Sequence, residues 1–185
     1  MDADNGLDRD AAACAIGEAL AAFYRRADAA MRDLPIYNPA LSIVAFGFRD
    51  LDGATLGIVV TPWFMNLVRV PPRGEPISPS GTVVPRALPV GVLDFTIGVL
   101  DGVGAIESCS LLSPMHGFAD QQQAESTALA ALAVVLAPAP ADTTDHSSVG
   151  AGAADHAGAV APNSSSAVSL DRRRFLRGAL TERRP

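Results

Sequence analysis

Apolar and polar positions change their spacing along the chain, and each change marks an element. Ile16, Leu20, Phe23, Ala27 and Met31 recur at steps of three and four, the face of an amphipathic helix. Before it, residues 1–10 are polar and acidic and are predicted to be flexible, with Asp8 or Asp10 capping the helix. Arg25, Arg26 and Arg32 lie in its second half, where positive charge suits the dipole, and Pro35 and Pro39 forbid continuation. From Leu41 to Phe48 the spacing becomes two, with Ile43 and Ala45 set against Val44, Phe46 and Phe48, and Asp52-Gly53 turns the chain into a hairpin partner, Leu56 to Thr61. The run Leu56-Gly57-Ile58-Val59-Val60 is continuously apolar, which suits a strand covered on both faces. Pro62 lacks a backbone donor and ends the ladder there. Trp63, the single tryptophan, then forms an aromatic corner with Phe64 and Met65, mainly as buried area.

Leu67 to Val70 continues the sheet, and the Pro/Gly-rich stretch from Pro71 to Gly81 forms a surface flap. Leu93, Phe95, Ile97 and Val99 alternate with Asp94, Thr96 and Gly98, and Asp101-Gly102 turns the strand back into Ala105 to Leu112. After Pro114, Asp120 and Gln123 have capping-box spacing before a second helix on Ala124, Leu129, Leu132, Val135 and Leu136. The expected class is α+β, a mainly antiparallel sheet flanked by an N-terminal and a C-terminal helix. Residues 11–137 form the folded domain. Residues 138–168, almost wholly Ala, Pro, Ser, Gly, Thr, Asp and His, bury too little apolar surface to fold and are expected to be a disordered tether. Residues 169–185 form an arginine-rich tail.

Composition narrows the function classes. The chain has 185 residues and a net charge of −6, which argues against nucleic acid as a partner. The 14 basic residues are all Arg; six of them, with Asp171 and Glu182, give the tail +4 and leave −10 for the rest. The most apolar window, Ala128 to Ala139, is well short of the ~20 residues of a membrane span, and no signal-like opening segment is present. A cytoplasmic protein without stable membrane insertion is expected.

Candidate chemistry is sparse. A thiol enzyme would need Cys109, His116 and Asp101 or Asp120 to converge, yet Cys109 sits in an alternating strand as a small hydrophobe does. His146 and His156 are too far apart for a local zinc pair, and Gly102 and Gly104 precede a strand instead of the helix a phosphate cradle requires. No cofactor or metal is expected.

Val60-Thr61-Pro62-Trp63-Phe64, Leu88-Pro89-Val90-Gly91 with Phe95, Gly98-Val99-Leu100-Asp101-Gly102 and Ser108-Cys109-Ser110-Leu111-Leu112-Ser113-Pro114-Met115 follow one another in the order and spacing of a known family. Over about Leu7 to Leu136 the chain resembles the HybE/HupJ family of nickel-iron hydrogenase assembly chaperones. The resemblance implies a non-catalytic cytoplasmic factor that holds the hydrogenase large subunit and the small subunit precursor, the latter by its twin-arginine signal peptide, with other maturation factors as further partners. It makes Thr61, Pro62, Trp63, Phe64, Leu100, Asp101 and Gly102 candidates for the partner-binding surface. A small enzyme using Cys109 and a generic peptide-binding module are the alternatives. Asp171-Arg172-Arg173-Arg174-Phe175-Leu176-Arg177 itself resembles a twin-arginine motif, but only Gly178-Ala179-Leu180 follows where an export signal needs a long apolar region. It is expected to form a helical turn or dock on an acidic partner, or to mimic a signal peptide in this chain's own groove.

Overall fold

β-branched and aromatic residues dominate the middle of the chain, and they assemble there into one sheet between two helices. The computed structural model describes residues 2–138; the tether beyond Pro138 and the tail, residues 169–185, lie outside the described residues. The elements are α1 (Asp2–Met31), β1 (Val44–Leu51), β2 (Ala54–Val60), β3 (Met65–Val70), β4 (Val83–Leu88), β5 (Gly91–Leu100), β6 (Gly104–Leu112) and α2 (Gln121–Leu136). All pairings are antiparallel, in the spatial order β1-β2-β3-β6-β5-β4. This is the predicted α+β class, with a helix from each end of the domain on the sheet.

The two helices cover opposite faces. Ala13 and Leu20 of α1 pack on Phe48, Val59, Val68 and Ile106. On the other face, Ala124, Ala128, Ala131, Leu132 and Val135 of α2 pack on Leu56, Ile58, Val60, Met65, Leu67, Phe95 and Cys109. β2 and β3 therefore bury both faces, as the unbroken apolar run of β2 requires. Small residues set the spacing. A methyl group on Gly57 would lie 2.4 Å from Cδ2 of Phe48, and one on Gly17 of α1 would lie 2.8 Å from the same atom, so the ring is clamped between helix and strand.

Several expectations are corrected. Helix α1 begins at Asp2, so residues 2–10, expected to precede the helix, are part of it; they contain no proline, and acidic residues at an amino end suit the dipole. Asp10 does not cap it: its Oδ1 accepts the backbone N–H of Asp50 in β1 at 3.1 Å. The buried stripe of α1 is Ala13, Gly17, Leu20 and Ala21, while Phe23, Ala27 and Met31 are only half-buried. Phe46 and Phe48 face opposite sides because a bulge interrupts the β1–β2 register between Phe46 and Arg49. Gly47 supplies its left-handed backbone, φ 58°.

The second hairpin and second helix match prediction at most positions. Leu93, Phe95 and Ile97 are buried and Asp94 and Thr96 exposed, but Val99 is 66 % exposed because nothing covers the strand end. Asp120 caps α2 through Gln123 N at 2.8 Å, while the Gln123 side chain reaches back to Ala119 N. Leu129 points outward and is not on the buried face. β4 carries Pro85 and forms at the sheet edge, where a missing donor is tolerated.

Gly57→Ala is expected to lower unfolding stability by about 1–3 kcal/mol through overpacking against Phe48. Urea unfolding checks this, and Phe48→Leu in the same chain should recover part of the loss. An unchanged midpoint for Gly57→Ala would contradict the clamp.

Candidate functional site

The Thr61–Phe64 segment is the tight turn of the β2–β3 hairpin. Thr61 Oγ1 accepts the N–H groups of Trp63 (3.2 Å) and Phe64 (2.9 Å) and donates to the carbonyl of Phe64 (3.0 Å), so one hydroxyl closes the turn. Thr61, Pro62 and Trp63 are buried and Phe64 is half-buried. Trp63 stacks on Tyr37 at 6.2 Å between centroids and meets Phe64 edge-on at 5.8 Å; Phe64 meets Tyr24 of α1 edge-on at 5.2 Å. Asn38 fixes this corner from behind. Its backbone N–H donates to Pro62 O at 2.8 Å, and its side-chain amide donates to Met115 O (3.0 Å) and Phe118 O (2.9 Å). Ser113 Oγ donates to Trp63 O at 3.1 Å. Three of the predicted contact residues thus support a surface from beneath, and Phe64 alone of the four reaches toward it.

Leu100, Asp101 and Gly102 lie at the other end of the sheet. Met65 pairs with Leu112 near the aromatic corner, and Leu100 pairs with Gly104 beside the Asp101-Gly102 turn. The length of β6, nine residues or roughly 27 Å, separates the two groups, so they do not form one patch. Asp101 and Gly102 are exposed and Leu100 half-buried.

The Asp101-Gly102 end borders an open groove of about 600 Å³. Its walls are Ala15, Ile16 and Ala19 of α1, the loop from Val70 to Ile77, the β1–β2 turn at Gly53, and Gly102 and Val103. The lining is mostly apolar, Ile77 is 50 % exposed, and the exposed Asp101 adjoins the lining residue Gly102, while Asp52 belongs to the second cavity described below. The Pro71 to Gly81 loop, expected as a surface flap, is therefore a wall of this groove, and it is tied down. Glu75 accepts from Arg69 at 2.8 Å and from Arg86 at 2.8 Å. Both guanidinium groups also hold Glu107, Arg69 at 3.1 Å and Arg86 through a two-pronged pair. Glu107 is 2 % exposed. The hydrogen bond from Arg69 holds the Glu75 carboxyl below the usual carboxylate range, and Glu107 pushes the Arg86 guanidinium further up. The same cluster borders a second cavity of about 240 Å³, reached by Leu51 of β1 and Leu88 of β4. Residues from both edge strands line it, so the sheet is rolled around α2.

No catalytic constellation forms from the predicted set. Cys109 is buried in the apolar face under α2, Asp101 is at the far turn, and His116 is exposed with Nε2 at 2.7 Å from Pro35 O. Among the described residues no cluster of three or more His, Cys, Asp or Glu side chains is placed to hold a metal ion, and no helix is long and apolar enough to cross a membrane.

With the groove and the aromatic corner described, comparison with known proteins places the chain in a family. The family described as NiFe-hydrogenase assembly chaperone HybE matches residues 15–178. The chain belongs to the HybE family. Hydrogenase expression/formation protein HupJ of Bradyrhizobium diazoefficiens is 45 % identical over 176 residues, 95 % of each chain. Hydrogenase expression/formation protein HupT of Azotobacter chroococcum is 38 % identical over 132 residues, 69 % of this chain and 89 % of that one. The solution structure of HybE from Escherichia coli superposes with a TM-score of 0.55 at 24 % identity, over 78 % of this chain and 91 % of that one, a likeness of fold. The likeness was expected to stop near Leu136; the family match instead runs through the tether and the arginine run to Gly178.

The supporting residues Asn38, Arg69, Glu75, Arg86 and Glu107 escaped sequence reading. A lone Asn in a proline-flanked connector and charges in alternating strands look like solvated positions, and only their partners, up to 80 residues away, reveal otherwise.

Asn38→Ala is expected to cost about 2 kcal/mol or more, since it leaves two carbonyls without their donors. Glu107→Gln should cost about 3 kcal/mol by leaving Glu75 as the single carboxylate between Arg69 and Arg86, with faster amide hydrogen exchange in the 71–77 loop as the local readout. For Glu75 the depressed folded-state pKa means its contribution is present above the unfolded value of about 4.3 and is lost as pH falls through the folded value. The stability gap between the native chain and Glu75→Gln should therefore shrink between pH 5 and strongly acidic conditions, as urea unfolding at several pH values will show.

Proposed function

We propose that this HybE-family chain is a non-catalytic cytoplasmic chaperone. It binds the small subunit precursor of an uptake nickel-iron hydrogenase through the twin-arginine signal peptide, and the large subunit, before export. The carrying observation is the mostly apolar groove between α1 and the 70–77 loop, in a chain whose residues outside the arginine-rich tail carry a net charge of −10. A peptide that opens with paired arginines and continues apolar matches both features. The acidic excess, with Asp101 at the lip of the groove, attracts the arginines. Exposed ion pairs contribute at most about 1 kcal/mol each, so Ile16, Ile77, Val70 and Val103 supply most of the affinity.

The Leu100-Asp101-Gly102 turn serves as one lip of this groove. Phe64, held by Thr61, Pro62 and Trp63, offers a second contact on the α1 side of the sheet for the folded part of a subunit. Catalysis has no role in this reading, and neither nucleic acid nor a membrane is a partner; other maturation factors share the client.

Affinity purification of the tagged chain from cells expressing an uptake hydrogenase operon should recover unprocessed small subunit together with large subunit. Ile77→Glu, on an exposed lining residue, should reduce that recovery at least ~5-fold with no change in melting temperature, consistent with loss of one apolar contact and the cost of desolvating a charge against the apolar part of the peptide. Recovery of neither subunit under aerobic and anaerobic growth overturns the reading.

A further inference from the structure

One element of the sequence remains outside this account, the arginine-rich tail. We propose that residues Arg172 to Leu180 of the chain dock intramolecularly in the groove between α1 and the 70–77 loop. Three observations lead there.

The first is charge. The tail carries +4, while the rest of the chain carries −10. Asp101 is exposed next to Gly102, which lines the groove. Arg73 is the cation in the groove wall whose charge opposes docking.

The second is shape and polarity. Arg172-Arg173-Arg174 is followed by Phe175-Leu176 and, after Arg177-Gly178, by Ala179-Leu180. Phe175 and Leu176 need an apolar receptor, and a groove of about 600 Å³ lined by Ile16, Val70, Ile77 and Val103 accommodates them. Helix-in-groove and extended-peptide docking both read such short apolar anchors flanked by charge.

The third is reach. α2 ends at Leu136, beside the β4–β5 turn, where Val135 O accepts the N–H of Val90 at 3.3 Å. Residues 139–171, 33 in number, separate the last described residue from the first arginine of the tail. A coil of 33 residues has a root-mean-square span of about 30 Å, and a domain of this size has a radius of gyration of about 14 Å. The chain is therefore long enough to bring the tail round the sheet to the α1 face. At that length its effective concentration at the groove is in the millimolar range, sufficient to hold a weak intramolecular contact. The family match continues through this run, to residue 178, so the tail is part of the sequence pattern the family model describes. If the groove also receives a client, the tail is its competitor; the experiment below contains no hydrogenase component, so its failure is distinguishable from failure of the chaperone reading.

Paramagnetic relaxation enhancement on the full-length chain tests the docking. A nitroxide is placed on Ala179→Cys in a Cys14→Ser background, Cys109 being buried, and amide signals are compared in the oxidised and reduced states. Docking predicts that Ile16, Ala19, Ile77, Gly102 and Val103 lose more than half their intensity. The loss should disappear in 1 M NaCl, where the Debye length falls to about 3 Å, and in Arg172→Glu/Arg173→Glu/Arg174→Glu. Broadening that is absent, spread evenly, or centred on another surface such as the exposed Leu129 face of α2 overturns the proposal. Broadening seen only when isotope-labelled chains are mixed with separate spin-labelled chains assigns the groove to a second copy's tail and overturns the intramolecular form.

Discussion

A carboxylate almost wholly removed from water, Glu107, sits in the middle strand of the apolar half of this sheet. Uncompensated, such a charge costs several kcal/mol, so its presence requires partners with excellent geometry. Arg69 from the adjacent strand β3 and Arg86 from the edge strand β4 supply them, and Glu75 from the following loop balances the second positive charge. Two acids and two bases in one cluster leave no net charge to bury. The geometry ties together three strands and a loop that are distant in sequence, and the loop so held is a wall of the groove. Site and scaffold are linked through this one cluster.

Close packing on both sides of β2 and β3 is the second constraint. Helix α1 approaches the sheet through Ala13, Gly17 and Ala21, and α2 through Ala124, Ala128 and Ala131. Small side chains let both helix axes come near the strands, and the large ones, Phe48 and Phe95, then fill the space from the sheet side. Where the fit is tightest, the sequence places glycine. Gly47 also bends β1, which turns Phe48 toward α1 and Phe46 toward α2, and so divides one aromatic-rich strand between two cores.

The two ends of this sheet are built differently. One end is the Thr61–Phe64 turn, sealed by hydrogen bonds and stacked rings into a rigid corner. The other is open, formed by two hairpin turns, an amphipathic helix and a pinned loop. The hydrogen-bonded corner fixes one end of the sheet, and the groove lies at the other. A HybE-family role in hydrogenase assembly fits that arrangement.

The sequence by itself determined the local elements. Alternation in Leu93 to Ile97 and the Asp101-Gly102 turn sufficed for the second hairpin, the Asp120 cap for the start of α2, and the continuous apolar run of β2 for its double burial. It also carried the family likeness, because that resides in ordered motifs. Only the tertiary structure decided the rest. Pro85 argues against a strand until the segment is known to be an edge, Phe48 changes faces because of a bulge that a period-two reading does not contain, and Leu129 fits a helical stripe that the sheet does not reach. The candidate contact residues show the same division. Thr61, Pro62 and Trp63 were legible as a corner, but their burial, their separation from Asp101 by the length of β6, and the groove formed by Ile16, Ile77 and Val103 depend on contacts between residues far apart in the chain. Local spacing encodes conformation and polarity; which residues meet is fixed by packing and by the pairing of buried charge.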